Sequence, residues 1–115
     1  MSDKTQAFIE QFKRDISRVN RLAPDTVRGY GALFQAVMKD GALPLKHKEL
    51  IALAIGVALR CEPCIHLHVQ KCLAAGATKE EILEAAGVAV TMQGGPASTY
   101  LPFVLDAVES LTGAA

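Results

Sequence analysis

The stretch Pro44-Leu45-Lys46-His47-Lys48-Glu49-Leu50-Ile51-Ala52-Leu53-Ala54-Ile55-Gly56-Val57-Ala58-Leu59, followed by Arg60-Cys61-Glu62-Pro63-Cys64-Ile65-His66-Leu67-His68, reads as two helices joined by a short corner. Pro44 suits a first helical turn, where the N–H it lacks would have no partner, so the first of the two runs from about Pro44 to Leu59. From Leu50 to Leu59 it is apolar on all sides, which predicts the buried centre of the fold. The second runs from Cys64 to Ala75, with Ile65, Val69, Cys72 and Leu73 on one face and Gly76 as its stop.

Working outward, Phe8, Ile9, Phe12, Ile16 and Val19 recur at helical spacing. So do Val27, Tyr30, Leu33, Phe34, Val37 and Met38 after Pro24-Asp25, and Asp40-Gly41 ends that helix. Downstream, Thr78-Lys79-Glu80-Glu81 is a capping box that opens a helix to about Met92. Gly94-Gly95-Pro96 breaks the chain, and Tyr100, Leu101, Val104, Ala107, Val108 and Leu111 mark a last helix with Pro102 in or near its first turn. No alternating strand pattern, internal repeat or low-complexity linker competes. The expectation is an all-α fold, a single compact domain of about six helices over residues 1–115.

A chain of 115 residues, half of them hydrophobic, can bury one core but not two. Net charge is zero, the sequence pI is near 6.8, and the twelve Lys and Arg form no basic stripe, which argues against a nucleic-acid partner. Mean hydropathy is +0.23, yet no apolar run reaches the ~20 residues of a membrane span. A subunit interface is the natural home for the excess apolar surface. Met1 to Gln6 carries no basic region leading into an apolar one, so a cytoplasmic location is expected. Three cysteines, two of them separated by two residues, make a poor secreted disulfide framework and point to metal binding or redox chemistry.

Cys61 and Cys64 at a helix start are placed for reactivity, because unpaired backbone N–H groups and the helix dipole favour a thiolate. Their spacing lets both sulfurs meet, so that one oxidised cysteine is resolved by the other as a disulfide. Peroxide would leave a sulfenic acid for the second thiol to clear. His68 lies one turn beyond Cys64 on the same face and can take the thiol proton. If the two helices form an antiparallel hairpin, the axial offset from Glu49 to His68 is roughly 7 Å, against more than about 13 Å to Cys64. Glu49 is therefore expected to orient or recharge His68, directly or through water, and His68 to serve the sulfur. A Glu49 in contact with Cys64 would have to come from another subunit.

Glu49, eleven residues, Cys61-Glu62-Pro63-Cys64, three residues and His68 resemble the motif of the alkylhydroperoxidase D branch of the carboxymuconolactone decarboxylase-like family. Lys48 to Ala54, Gly76 to Ile82 and Gly94 to Ala97 also look like that family, so the likeness covers roughly Gly41 to Tyr100. It implies an all-helical subunit assembling as homo-trimers or homo-hexamers, with the site close to subunit contacts. It also implies a peroxidase cycle on a hydroperoxide, in which Cys64 attacks, Cys61 resolves, and an external dithiol, such as dihydrolipoamide, or a dithiol protein reduces the disulfide. No cofactor or metal is implied. General CxxC logic leans the other way on the order of the cysteines, since the first is often the more exposed. Pro63 stands where family peroxidases carry a further histidine, so any role of that group is absent.

Other readings stand beside this one. Half of a zinc site would have to recruit His66, His68 or Glu49, because there is no second CxxC. A gamma-carboxymuconolactone decarboxylase-like enzyme would run without either cysteine and would show a dedicated small-acid pocket. A non-enzymatic thiol redox sensor would oxidise without turning over. Cys72 reads as core, His66 as a surface or interface residue pointing away from His68, and His47 as a solvated helix-start residue. Tyr30 and Tyr100 read as core or interface residues able to line a pocket.

Overall fold

The computed structural model describes residues 3–113 and is helical almost throughout. Six long helices, α1 (Lys4–Leu22), α2 (Pro24–Val37), α3 (Leu45–Ala58), α4 (Glu62–Ala74), α5 (Lys79–Gln93) and α7 (Leu101–Thr112), are accompanied by a single turn, α6 (Gly95–Ser98). Among the described residues none of these helices is long and apolar enough to cross a membrane.

Local chemistry sets the boundaries. The Thr78 side chain accepts from the Glu81 N–H at 3.1 Å and the Glu81 carboxylate accepts from the Thr78 N–H at 2.9 Å, so the expected capping box starts α5. Pro44 is the N-cap of α3 rather than its first residue, and the Asp40 carboxylate accepts from the Leu45 N–H at 2.7 Å in its place. Helix α4 begins at Glu62, two residues earlier than its apolar face suggests, because Cys61 caps it and Pro63 is tolerated in the first turn.

Helices α3 and α4 end in the same hydrogen-bond pattern with different residues. At the end of α4, Gly76 takes φ +94 and the Ala77 N–H reaches back to the Cys72 carbonyl. At the end of α3, Arg60 takes φ 55, its N–H bonds the Val57 carbonyl at 3.0 Å, and the Cys61 N–H bonds the Gly56 carbonyl at 2.9 Å. Both are Schellman turns, and the second holds a non-glycine residue left-handed immediately before the cysteine pair.

The core is built from Leu53 and Val57 of α3, Ile65, Val69 and Cys72 of α4, Ile82, Ala86 and Ala89 of α5, and Val104, Ala107 and Val108 of α7. Helix α3 packs on α4 and α5 and is left open on its remaining side. The expectation that it is buried all round is therefore corrected: Leu53, Gly56 and Val57 are buried, but Ile51, Leu59 and, at 54 % exposure, Ile55 face outward. Helix α2 packs on α1 and buries none of its residues fully, leaving Tyr30, Leu33 and Val37 exposed.

Candidate active site

Cys61 and Cys64 form a disulfide, with Cα atoms 5.2 Å apart, at the N-terminus of α4. Cys61 Sγ accepts the Cys64 N–H at 3.2 Å, so this sulfur occupies the N-cap position. When the bond is reduced, a Cys61 thiolate inherits that donor and the positive end of the helix. Cys64 sits over the bare backbone of Gly56 in α3, where an added Cβ would stand 3.0 Å from the Cys64 Cβ. Close approach of α3 to α4 is what Gly56 permits.

One turn along α4, His68 Nδ1 lies 2.8 Å from Glu49 Oε1. The pair is direct, and it is formed within one chain. Glu49 is buried and the His68 side chain is 16 % exposed. A carboxylate can only accept, so the bond places the imidazole proton on Nδ1 and leaves the Nε2 lone pair free to take a proton. Glu49 thus lies against His68, as its position near the start of α3 predicts.

Cys72 continues the same face into the core and is fully buried. Burial, followed by the nearby charge of Glu49, pushes its thiol up to about 12, so it stays protonated at neutral pH.

The expectation for His66 is overturned: it is buried, not at the surface. Its Nδ1 lies 2.8 Å from Thr5 Oγ1, its Nε2 lies 3.0 Å from Glu62 Oε2, and its ring stacks on Phe8 at 4.7 Å between centroids. Helix α1 lies over this side of α4, which the four-residue spacing within α4 could not reveal. The ring is thereby committed to Thr5 and Glu62. His47 is exposed, as expected.

Beside His68 opens a cleft of about 350 Å³ lined by Phe12, Tyr30, Phe34, Leu67, His68 and Lys71. The Phe34 and His68 ring centroids are 6.1 Å apart, and Lys71 Nζ stands 3.9 Å from the Phe34 centroid. Tyr30 lines this pocket; Tyr100 packs against Phe103 elsewhere. Phe12, Phe34 and Lys71 carry no sequence signal of a shared site, because three different helices meet there. Of this lining, the sequence reading reached His68 and, as a residue able to line a pocket, Tyr30.

The sequence pattern of the carboxymuconolactone decarboxylase family matches residues 24–107. A crystal structure of an apo family protein from Legionella pneumophila superposes with a TM-score of 0.92 at 40% identity, covering 96% of this chain and 99% of that one. A family protein from Thermotoga maritima, for which involvement in an antioxidative response has been suggested, gives a TM-score of 0.81 at 32% identity over 95% of this chain and 97% of that one. An uncharacterized protein of Cupriavidus necator is 27% identical over 111 residues, 96% of this chain and 98% of its own length.

Proposed function

The chain belongs to the carboxymuconolactone decarboxylase family, and from that premise we propose that it is a thiol-dependent peroxidase with Cys61, Cys64, His68 and Glu49 as its working residues. The observation that carries this reading is the Glu49–His68 hydrogen bond of 2.8 Å one turn beyond a bonded Cys61–Cys64 pair. The suggested antioxidative involvement of the Thermotoga maritima relative agrees with it.

In the reduced protein His68 Nε2 takes the Cys64 proton, and the thiolate attacks the terminal oxygen of a hydroperoxide. The O–O bond breaks, the sulfur becomes a sulfenic acid, and the alkoxide leaves as the alcohol with the proton returned through His68. Cys61 then attacks the sulfenic sulfur, releasing water and forming the disulfide. An external dithiol exchanges with that disulfide and restores both thiols, becoming a disulfide itself. The net change is hydroperoxide plus dithiol to alcohol, water and disulfide. Glu49 acts through His68 as a positioning residue.

The test is hydroperoxide consumption by the reduced protein with dithiol in excess, using the wild type, Cys61→Ser, Cys64→Ser, His68→Ala and Glu49→Gln. Turnover ends with either cysteine change and slows with His68→Ala, and Glu49→Gln slows it less than His68→Ala does, because the base remains and only its orientation is loosened. A folded protein with free thiols and no turnover would sink the peroxidase.

A homo-oligomer, trimer or hexamer, belongs to the same proposal. Its support is the apolar groove of about 280 Å³ between α3 and α5, lined by Ile51, Ile55, Val88 and Met92, the last 81 % exposed. Sedimentation of the wild type against Ile55→Glu tests it, and a monomeric wild type refutes it.

A further inference from the structure

We infer that the cleft beside His68 takes a small organic hydroperoxide that also carries a carboxylate, with Lys71 as the residue that selects for the anion. The inference rests on the peroxidase reading for its reacting group and on the cleft alone for the rest.

The walls are mainly Phe12, Tyr30, Phe34 and Leu67, with Gln35 the one neutral amide among them, a lining suited to a hydrocarbon or aromatic body rather than to a strongly hydrated molecule. At one end stands His68, the proposed base. Lys71 follows it by three residues on α4, and Phe34 neighbours both, 6.1 Å from the imidazole and 3.9 Å from the ammonium. The imidazole and the ammonium are therefore no farther apart than those two distances laid end to end. That upper limit admits a molecule about one substituted benzene ring long.

Lys71 is half-buried, and among the described residues it forms no salt bridge. Glu49 lines a neighbouring depression with Lys71 but commits Oε1 to His68. An ammonium held over an aromatic face and in salt-bridge contact with no carboxylate among the described residues offers its donors to an incoming anion. A single cation among apolar walls suits a monocarboxylate; a small polycarboxylate would leave its other charges desolvated without partners.

The experiment compares cumene hydroperoxide with its para-carboxylate on wild type, Lys71→Met and Lys71→Arg, and measures binding of the unreactive 4-isopropylbenzoate by titration calorimetry. Methionine keeps the apolar stem over Phe34 and removes only the charge. The expected result is a kcat/KM for the carboxylated peroxide about tenfold above that for the neutral one. Lys71→Met abolishes that preference through KM and weakens 4-isopropylbenzoate binding equally, while Lys71→Arg retains both. Equal kcat/KM for the two peroxides in the wild type overturns the inference, as does a Lys71→Met that slows both alike. If neither peroxide turns over, the peroxidase reading fails, and the calorimetry decides the cleft by itself: binding of 4-isopropylbenzoate lost in Lys71→Met sustains the anion subsite, and no binding by the wild type overturns it.

Discussion

Thr5 Oγ1 and His66 Nδ1 lie 2.8 Å apart, both buried, across 61 positions of sequence. Since Glu62 accepts at Nε2, the neutral ring has its proton there, and Nδ1 accepts from the Thr5 hydroxyl. This bond ties α1 to α4 on the flank of the cysteine pair, and Glu62, inside that pair, extends it to Lys4 at 3.2 Å. Thr5→Val leaves a buried ring nitrogen without its partner and is expected to cost about 1–3 kcal/mol of unfolding free energy. His66→Phe strands the Thr5 hydroxyl in the same way. Urea denaturation of the two single variants and the double should give a coupling of about 0.5–3 kcal/mol; additive losses would show that the contact stabilises nothing.

The carboxyl of Glu62 is held below its usual value of 4.5 chiefly by the hydrogen bond from His66; burial opposes this as the next-largest effect, and the hydrogen bond and charge of Lys4 add further lowering. A carboxyl that ionises more readily when folded stabilises the fold above its unfolded pKa, and that stability is lost as pH falls through the folded value. Acidification from neutrality through the ordinary carboxylate range should therefore lower the melting temperature of the wild type more than that of Glu62→Gln. The side chain is about a third exposed, so solvent screening keeps the difference small. Parallel melting curves over that pH range would remove Glu62 from the account.

Cys72 tests the separation between structural and reactive sulfur. With its thiol pushed up to about 12 and no exposed surface, it has almost no thiolate at neutral pH. Brief alkylation of the dithiol-reduced, folded protein, read by peptide mass spectrometry, should label Cys61 and Cys64 and spare Cys72 until denaturant is added. Labelling of Cys72 at the rate of the other two contradicts its place in the core.

What the sequence disclosed, and what it withheld, follows the range of each interaction. The Thr78–Glu81 box, the Gly76 turn and the one-turn step from Cys64 to His68 are local, and the amino-acid order displays them. Glu49 against His68 was reachable because one short corner forces α3 and α4 antiparallel. Arg60 was not reachable, since its left-handed turn carries no glycine to announce it. His66 failed for a different reason: its burial depends on α1, some sixty residues away, which no spacing within α4 encodes. The exposed side of α3 failed because an all-apolar helix looks the same whether its last face meets its own chain or something else.

Gly56 and Gly87 both lie inside helices, and they should respond oppositely to alanine. Nothing lies within 4 Å of a Cβ built at Gly87, so Gly87→Ala is expected to stabilise by about 0.5–1 kcal/mol through reduced chain entropy. At Gly56 the same methyl would meet the Cys64 Cβ at 3.0 Å, with the Cys64 backbone at 3.8 Å behind it, and neither belongs to a flexible side-chain end. Helices α3 and α4 must then part by a few tenths of an ångström, which offsets the entropic gain and moves Cys64 and His68, both on α4, relative to Glu49 on α3. Gly56→Ala should melt at or below the wild-type temperature and lose hydroperoxide turnover out of proportion to that change, because the Glu49–His68 contact that orients the base spans the two helices and is sensitive to small displacements. A Gly56→Ala protein as stabilised as Gly87→Ala and fully active would mean that the close crossing under Cys64 does not set its position.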